Sequence, residues 1–266
     1  MEYLVENGYS SANISNNMAG IRANFIMNGL DTAPFRNDQI AMYHKALKLN
    51  IPFTPRKTFL ISTDCLRDIV RITKSLPNSD IFVSLYTLAF FSCLRLSNLL
   101  PHSVKNFDIH KHLAKGDIIL SDKNATLIIK WSKTIQNRRD IATVVVPRLG
   151  TSQICPVTPL EKVLEMTPHD DNAPVFQILR NHGYVPLTDS VARKHLAKVA
   201  RLLNIERITF HDFRRSGTTW AHEHGVPIDA IKAHGTWKSD VVYSYIATNF
   251  KPSQKVSDTF QQHLLT

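Results

Sequence analysis

Residues 208–227, ITFHDFRRSGTTWAHEHGVP, carry the pair of side chains that points most directly to a chemical role. His211 and Arg214 are three positions apart, about one helical turn, so on a helix both reach the same point. Arginine offers a planar fork of donors to phosphate oxygens, and histidine can donate a hydrogen bond or shuttle a proton. The pair therefore predicts a phosphate site, although a solvated pair on a helix surface would have the same spacing.

Two basic residues outside this segment suit the same anion. Arg95, in FFSCLRLSNLLP (residues 90–101), is expected at the end of a nearly all-apolar helix. A charge is costly to bury there unless it is paired or faces a site. Lys133, in KWSKTIQNRRD (residues 130–140), is expected on a hairpin that could fold over a bound phosphate. The alternative for Lys133 is an ordinary solvated hairpin lysine.

An excess of basic residues favours an anionic partner. The 266-residue chain has 32 Lys and Arg against 22 Asp and Glu, a net charge of +10 and a pI of about 9.6. Nucleic acid is the first candidate, because such a charge attracts a polyanion over a wide area. The basic residues are spread along the chain, so they favour nucleic-acid binding without locating it.

Other kinds of site are not indicated. Cys65, Cys93 and Cys155 lie far apart, which fits neither a disulfide framework nor a zinc knuckle. The histidine pairs at 110/112 and 222/224 have no third ligand at metal spacing, and there is no P-loop glycine pattern. The sequence shows no secretory signal and no apolar stretch of membrane-spanning length. We expect an intracellular protein with no metal, cofactor, small-molecule substrate or membrane partner.

The hydrophobic pattern predicts a mainly α fold with one small antiparallel β-sheet. Apolar residues at helical spacing predict helices over residues 11–29, 36–49, 80–94, 158–166 and 189–203, and over most of the chain from there to residue 265. Short runs rich in Ile, Val and Thr predict strands over residues 117–121, 125–131 and 142–147. Two prolines in NIPFTPRK, residues 50–57, favour a domain boundary, and Thr63 and Asp64 are expected to cap the next helix.

The candidate residues occur in a recognisable order. Arg95 in CLRLSNLL, Lys133 in SKT, His211 and Arg214 in HDFRR, and a tyrosine in HGTWKSDVVYSYI resemble the signature of the tyrosine recombinase or phage integrase family. The likeness extends over about residues 58–266 and is greatest to the recombinases of eukaryotic mobile elements such as Cryptons and DIRS-like retrotransposons. There a G-x-W-x-S-D stretch precedes a Tyr-Ile pair, and the matching residues here are Gly235, Trp237, Ser239, Asp240, Tyr245 and Ile246.

This resemblance implies a fold and domain organisation. It implies a tyrosine recombinase catalytic domain at residues 63–266, preceded by a partial helical core-binding domain at residues 1–52 and a linker at residues 53–62. The partners implied are double-stranded DNA and further copies of the chain, as a tetramer on DNA in the nucleus. The last predicted helix, residues 252–265, would dock on a neighbouring subunit or pack on its own domain.

It also implies a reaction, the site-specific cleavage and rejoining of DNA through a 3′-phosphotyrosyl intermediate, without ATP or metal. By this resemblance Arg95, His211 and Arg214 hold the scissile phosphate, a tyrosine attacks it, and Lys133 protonates the leaving 5′ oxygen. The alternative is a recombinase-derived DNA-binding protein that no longer cuts. The short amino-terminal region and Thr236, which stands where the family usually has histidine, both favour that alternative.

Two tyrosines compete for the role of nucleophile. In the family the tyrosine follows a His or Trp by nine residues, a spacing that pairs Thr236 with Tyr245 and His234 with Tyr243. Residues two apart on a helix point in nearly opposite directions, so only one tyrosine can face the phosphate. The G-x-W-x-S-D match favours Tyr245, with Tyr243 as the alternative. Thr236, Trp237 and His234 are then the possible sources of a further phosphate contact.

Contacts to the DNA backbone are expected from basic residues outside the site. Such contacts add affinity without sequence choice. The candidates are Arg56, Lys57, Arg138, Arg139, Arg193 and Lys194.

Overall fold

The computed structural model describes residues 2–51, 58–131, 141–181 and 183–246. The chain divides into two compact units, Met1–Lys57 and Thr58–Thr266. Several residues singled out in the sequence lie outside the described ranges, namely Arg56, Lys57, Lys133, Arg138, Arg139 and the segment 252–265. The predicted roles of these residues therefore stay predictions, and the site must be built from the others.

The first unit consists of α1 (Glu2–Glu6), α2 (Ser11–Met27), a 3-10 turn (Ala33–Arg36) and α3 (Asp38–Asn50). Ser10 and Asn37 cap α2 and α3 with their side chains, as polar residues at helix starts commonly do. The helix predicted over residues 11–29 is present. Of its apolar stripe, however, only Ile14 is fully buried, and Ile21 is 47% exposed.

The centre of the second unit is a buried helix. After α4 (Thr63–Lys74), whose cap is Ser62 rather than Thr63 or Asp64, α5 (Ser79–Phe91) is buried over ten consecutive residues. Helix α5 packs against α4 and three later elements. A helix that is apolar on all sides must be enclosed in this way.

Helix α5 ends three residues earlier than the sequence predicted. Cys93 adopts a positive φ of 51°, which turns the chain out of the helix. Arg95 is therefore not the last residue of α5. It is the N-cap of the short helix α6 (Leu96–Leu99), where its backbone is extended.

A three-stranded antiparallel sheet follows, in the order β1-β2-β3, from strands β1 (Ile118–Leu120), β2 (Asn124–Ile129) and β3 (Ala142–Pro147). The predicted sheet is confirmed, with shorter first and second strands. Residues of β2 alternate between buried and half-buried, and Leu127 pairs with Val144 on the inner face. That face packs into the main core, as period-two burial requires.

Short 3-10 turns cover Val104–Asn106 and Lys115–Asp117. After the sheet come α7 (Val157–Met166), a hairpin of β4 (Gln177–Arg180) and β5 (Gly183–Pro186), α8 (Asp189–Leu202), α9 (Phe210–Glu223), α10 (Ile228–His234) and a 3-10 turn (Asp240–Ser244). The β4–β5 hairpin was not predicted, and the 3-10 turn replaces the helix expected before Tyr245. Gly217 lets α9 approach α5 closely, because an added Cβ would overlap the carbonyl oxygen of Phe90. None of the described helices is long and apolar enough to span a bilayer.

Candidate active site

Arg214 is the centre of the site. It lies on α9, and its side chain is among the largest fully buried ones, with 1% exposure. One guanidinium nitrogen, Nη1, donates to the carbonyl of Cys93, at the turn that ends α5. Within the described part of the chain, Nε and Nη2 are buried without a hydrogen-bond partner. Buried donors of a charged group are costly to leave unpaired, so these two atoms mark a position that an anion would satisfy.

A second arginine adds to the positive potential around Arg214. Nη1 of the half-buried Arg95 is also buried without a partner among the described residues. Burial and, to a smaller extent, the charge of Arg95 lower the pKa of Arg214 to about 10. Two guanidiniums that repel each other are stabilised by an anion bound near both.

His211 sits in the first turn of α9. Asp212 fixes this helix start, because its carboxylate accepts hydrogen bonds from the backbone N–H and the hydroxyl of Thr209, both at 2.7 Å. Partial desolvation lowers the pKa of His211, and the neighbouring Arg215 and Arg214 lower it further. The imidazole is therefore neutral at neutral pH and able to accept a proton, while part of the residue stays exposed.

Of the two candidate tyrosines, Tyr245 lies against these residues. Its ring centroid is 4.8 Å from that of His211 and 5.3 Å from the guanidinium carbon of Arg214. Tyr243, by contrast, is 55% exposed. The tyrosine that the G-x-W-x-S-D match favoured, Tyr245, is thus the one whose ring lies near the buried Arg214.

The segment Gly235-Thr236-Trp237 places an indole ring under Arg214. The guanidinium carbon lies 3.6 Å from the Trp237 ring centroid, a cation–π contact, and Trp237 is 5% exposed. Thr236 has a positive φ of 59°, which makes the turn. Gly235 is required beneath it, because an added Cβ would overlap the Trp237 ring. A small residue before the tryptophan is therefore a packing requirement of the G-x-W motif.

The structure distinguishes the three possible donors of a further phosphate contact. His234 Nε2 is 2.8 Å from the carbonyl of Phe91, so its donor is engaged with the end of α5. Thr236 is buried in the turn. Trp237 Nε1 is buried with no hydrogen-bond partner within the described ranges, next to the unpaired nitrogens of Arg214. Of the three, Trp237 is the residue whose ring contacts Arg214.

Two residues that the sequence reasoning missed also reach Tyr245. Arg215 Nη1 and Thr219 Oγ1 both donate to the backbone carbonyl of Tyr245, at 3.5 and 3.2 Å. A contact to a backbone carbonyl leaves no pattern in the sequence. The only available signal was the doubled arginine in HDFRR.

The other predicted residues that can be described lie at the surface. Arg193 and Lys194 are exposed on α8, and Arg193 is 3.8 Å from Asp189. Over the described ranges, no group of three or more His, Cys, Asp or Glu side chains could hold a metal ion. The site is thus a cluster of cationic and aromatic groups around one phenol.

A helical catalytic unit with this cluster is the architecture of a tyrosine recombinase, and the sequence comparison agrees. Residues 66–251 match the model of the phage integrase family. That match spans more than half of the chain, which therefore belongs to the phage integrase family, whose members are tyrosine recombinases that break and rejoin DNA. No curated protein sequence matches the chain.

Several solved recombinases share the fold. The Tn1549 transposon integrase in complex with circular intermediate DNA is 13% identical, with a TM-score of 0.58 over 96% of this chain and 81% of that one. The XerA recombinase is 14% identical, with a TM-score of 0.53 over 98% and 79%. A lambda integrase dimer bound to a core site is 15% identical, with a TM-score of 0.54 over 89% and 65%. At these identities the likeness concerns the fold.

Proposed function

We propose that the chain is a site-specific DNA recombinase in which Tyr245 attacks a phosphate held by Arg214, Arg95 and Trp237. The observation that carries the proposal is the buried guanidinium of Arg214, with two unpaired donors in the described structure and the Tyr245 ring 5.3 Å away. A DNA phosphate supplies the anion that these donors need, and the phenol supplies a nucleophile beside it.

The proposed reaction is an exchange of one phosphoester for another. The Tyr245 oxygen forms a bond to phosphorus as the bond from phosphorus to the 5′ oxygen breaks, which leaves a 3′-phosphotyrosine and a free 5′ hydroxyl. The phenol loses its proton, which the neutral His211 can accept, and the 5′ oxygen takes one from Lys133, a role that rests on the family resemblance alone. Because one phosphoester replaces another, attack by a second 5′ hydroxyl reverses the step.

Transition-state stabilisation falls to the arginines and the tryptophan. As the phosphorus becomes five-coordinate, negative charge grows on its non-bridging oxygens, and fixed donors in a buried site stabilise that charge strongly. Arg214 is held in advance by the Cys93 carbonyl and the Trp237 ring. Little reorganisation is then needed when the phosphate binds.

The proposal extends to partners. The DNA complexes of the relatives and the net charge of +10 support binding of double-stranded DNA, with Arg193 and Lys194 among the backbone contacts. Assembly of four subunits on two duplexes, a core-binding role for residues 1–52 and location in the nucleus are parts of the same proposal that rest on the resemblance. The affinity to eukaryotic mobile-element recombinases likewise stays a prediction.

The test uses nicked duplexes with a randomised sequence. The nick is placed so that the 5′-hydroxyl fragment released by cleavage diffuses away, which prevents religation and leaves the protein–DNA adduct trapped. We expect a protein–DNA adduct that survives detergent, and its loss in Arg214→Lys, which keeps the charge but removes the planar fork of donors. Arg207→Lys, on an exposed arginine, is the matched control and should keep the adduct. Salt-dependent DNA binding without any adduct would reject the proposal in favour of a recombinase-derived protein that binds but does not cut.

A further inference from the structure

Helix α9 contacts the tyrosine segment in a second way, through its backbone. Arg215 Nη1 and Thr219 Oγ1 converge on the carbonyl oxygen of Tyr245, at 3.5 and 3.2 Å. These residues are four apart on α9, so they lie on one face of the helix. The helix that carries His211 and Arg214 therefore also holds the main chain of the residue proposed as nucleophile.

Both backbone polar groups of Tyr245 are hydrogen-bonded. A carbonyl oxygen has two lone pairs and can accept from both donors at once. The N–H of Tyr245 is satisfied too, because it donates to the carbonyl of Val242 at 2.9 Å within the preceding 3-10 turn. The carbonyl is thus held by α9 and the N–H by the 3-10 turn, which fixes the backbone from which the phenol projects.

Arg215 is placed for this role and not for a surface ion pair. It is half-buried, its Nε is buried without a hydrogen-bond partner in the part of the chain that the structure describes, and its guanidinium carbon lies 5.7 Å from the Tyr245 ring centroid. A cation near the phenol also favours the charge that develops on its oxygen. Arg214 approaches the same ring from 5.3 Å.

We infer that Arg215 and Thr219 are positioning residues that deliver Tyr245 to the phosphate bound by Arg214. The inference rests on the proposed function, in that Tyr245 must be the nucleophile. Of the two candidate tyrosines, Tyr245 is the one whose carbonyl α9 holds, whereas Tyr243 is 55% exposed. A displacement of about 1 Å at a reacting atom can cost on the order of 100-fold in rate.

The test compares Thr219→Val, which removes only the hydroxyl donor, with Thr219→Ser, which restores it. We expect Thr219→Val and Arg215→Ala to slow single-turnover adduct formation about 10- to 100-fold at unchanged DNA affinity, and Thr219→Ser to recover most of the rate. Arg67→Ala, on an exposed arginine of α4, matches the charge lost in Arg215→Ala and should leave the rate unchanged.

Hydrogen–deuterium exchange of a peptide covering residues 238–246 gives a readout that needs no catalysis. Release of the Tyr245 carbonyl should speed exchange there in Thr219→Val and Arg215→Ala, and not in Arg67→Ala. Unchanged exchange in both variants overturns the inference, and so does faster exchange with an unchanged rate. If the wild type forms no adduct, the proposed function fails, and exchange alone decides whether α9 holds the segment.

Discussion

Trp237 stands one position after the residue at which the family usually has histidine. The positive φ of Thr236 turns the backbone, and the next side chain, Trp237, lies beneath Arg214. Thr236 itself is buried in that turn. The missing histidine is therefore no argument for lost catalysis if the indole N–H takes over the contact.

The substitution Trp237→Phe tests that idea, because it keeps a ring under Arg214 and removes the N–H. We expect adduct formation to slow about 100-fold with DNA affinity unchanged, the usual cost of one lost donor to a transition-state oxygen. Single-turnover rates at saturating DNA measure it. Trp220→Phe, at a 40% exposed tryptophan, is the control and should have no effect. Equal rates for Trp237→Phe and wild type would show that another group makes the contact.

Gly235→Ala should disrupt the same position by sterics. The backbone of Gly235 suits alanine, with φ near −86°, but the added Cβ overlaps the Trp237 ring. We expect a loss of about 1–3 kcal/mol in the free energy of unfolding, together with loss of the adduct. At Gly20, on α2, an added Cβ meets nothing within 4 Å, so Gly20→Ala should not destabilise the protein. An unaffected Gly235→Ala protein would contradict this account of the G-x-W motif.

At the residue scale, the sequence could predict contacts that follow from helical spacing or from a motif, but not contacts made to backbone carbonyls. Spacing one turn apart predicted that His211 and Arg214 converge, and motif register predicted Tyr245 over Tyr243. Arg215 and Thr219 escaped prediction because they act on a backbone carbonyl. The choice between His234 and Trp237 needed the fold, since only the structure shows that His234 is bonded to the end of α5.

Helices α5 and α8 meet through a polar pair, the buried Tyr86 and the half-buried His195. The hydroxyl of Tyr86 is 2.7 Å from His195 Nδ1, and the Phe82 ring stacks on the imidazole at 3.6 Å between centroids. Burial raises the pKa of Tyr86, so the hydroxyl is neutral. Burial, with a smaller effect of Lys198, lowers the pKa of His195 to about 4.

This pair predicts a pH dependence of stability. The folded protein holds His195 neutral down to about pH 4, whereas the unfolded chain protonates it near 6.5, so the unfolded state binds more protons between these values. Stability should fall as pH is lowered through that window, by about 2 kcal/mol between pH 7.5 and pH 5. Urea unfolding at the two pH values measures it. In His195→Gln the difference in the free energy of unfolding between the two pH values should be smaller by about 2 kcal/mol. An unchanged difference would show that His195 is not the group responsible.

A second prediction concerns the end of α7. Lys115 Nζ donates to the carbonyls of Leu164, Thr167 and Pro168, at 3.0, 2.9 and 2.8 Å, and Lys115 is itself buried. Lys115→Met should cost about 2–3 kcal/mol in the free energy of unfolding, because these carbonyls lose a charged donor. Thermal unfolding measures it, with Lys111→Met at an exposed position as the control. Equal melting temperatures for the two variants would be inconsistent with this role.

The helices predicted over residues 11–29, 36–49, 80–94, 158–166 and 189–203 are present, and so is the three-stranded sheet, because their apolar patterns are long or strongly β-branched. The β4–β5 hairpin was missed, since four-residue strands show no clear alternation. The end of α5 was misplaced because Cys93 and Leu94 are apolar and continue the pattern, while the chain turns at Cys93 through a positive φ. Buried apolar loops of this kind are invisible to periodicity.

At the scale of the whole molecule, the order of the motif segments along the chain indicated the family more specifically than the composition did. A net charge of +10 favoured a polyanion. The family followed from four segments that lie far apart in sequence. In the described residues, α6, α9 and the turn after α10 bring three of those segments together. That convergence is the physical basis for placing the reaction at Tyr245.

The most direct test is to digest the trapped protein–DNA adduct and locate the nucleotide by mass spectrometry. The account predicts a phosphodiester on Tyr245, absent in Tyr245→Phe and retained in Tyr243→Phe. A nucleotide on Tyr243 would contradict the register of the site while leaving the chemistry intact. An adduct on neither tyrosine, in protein that still binds DNA, would contradict the central claim.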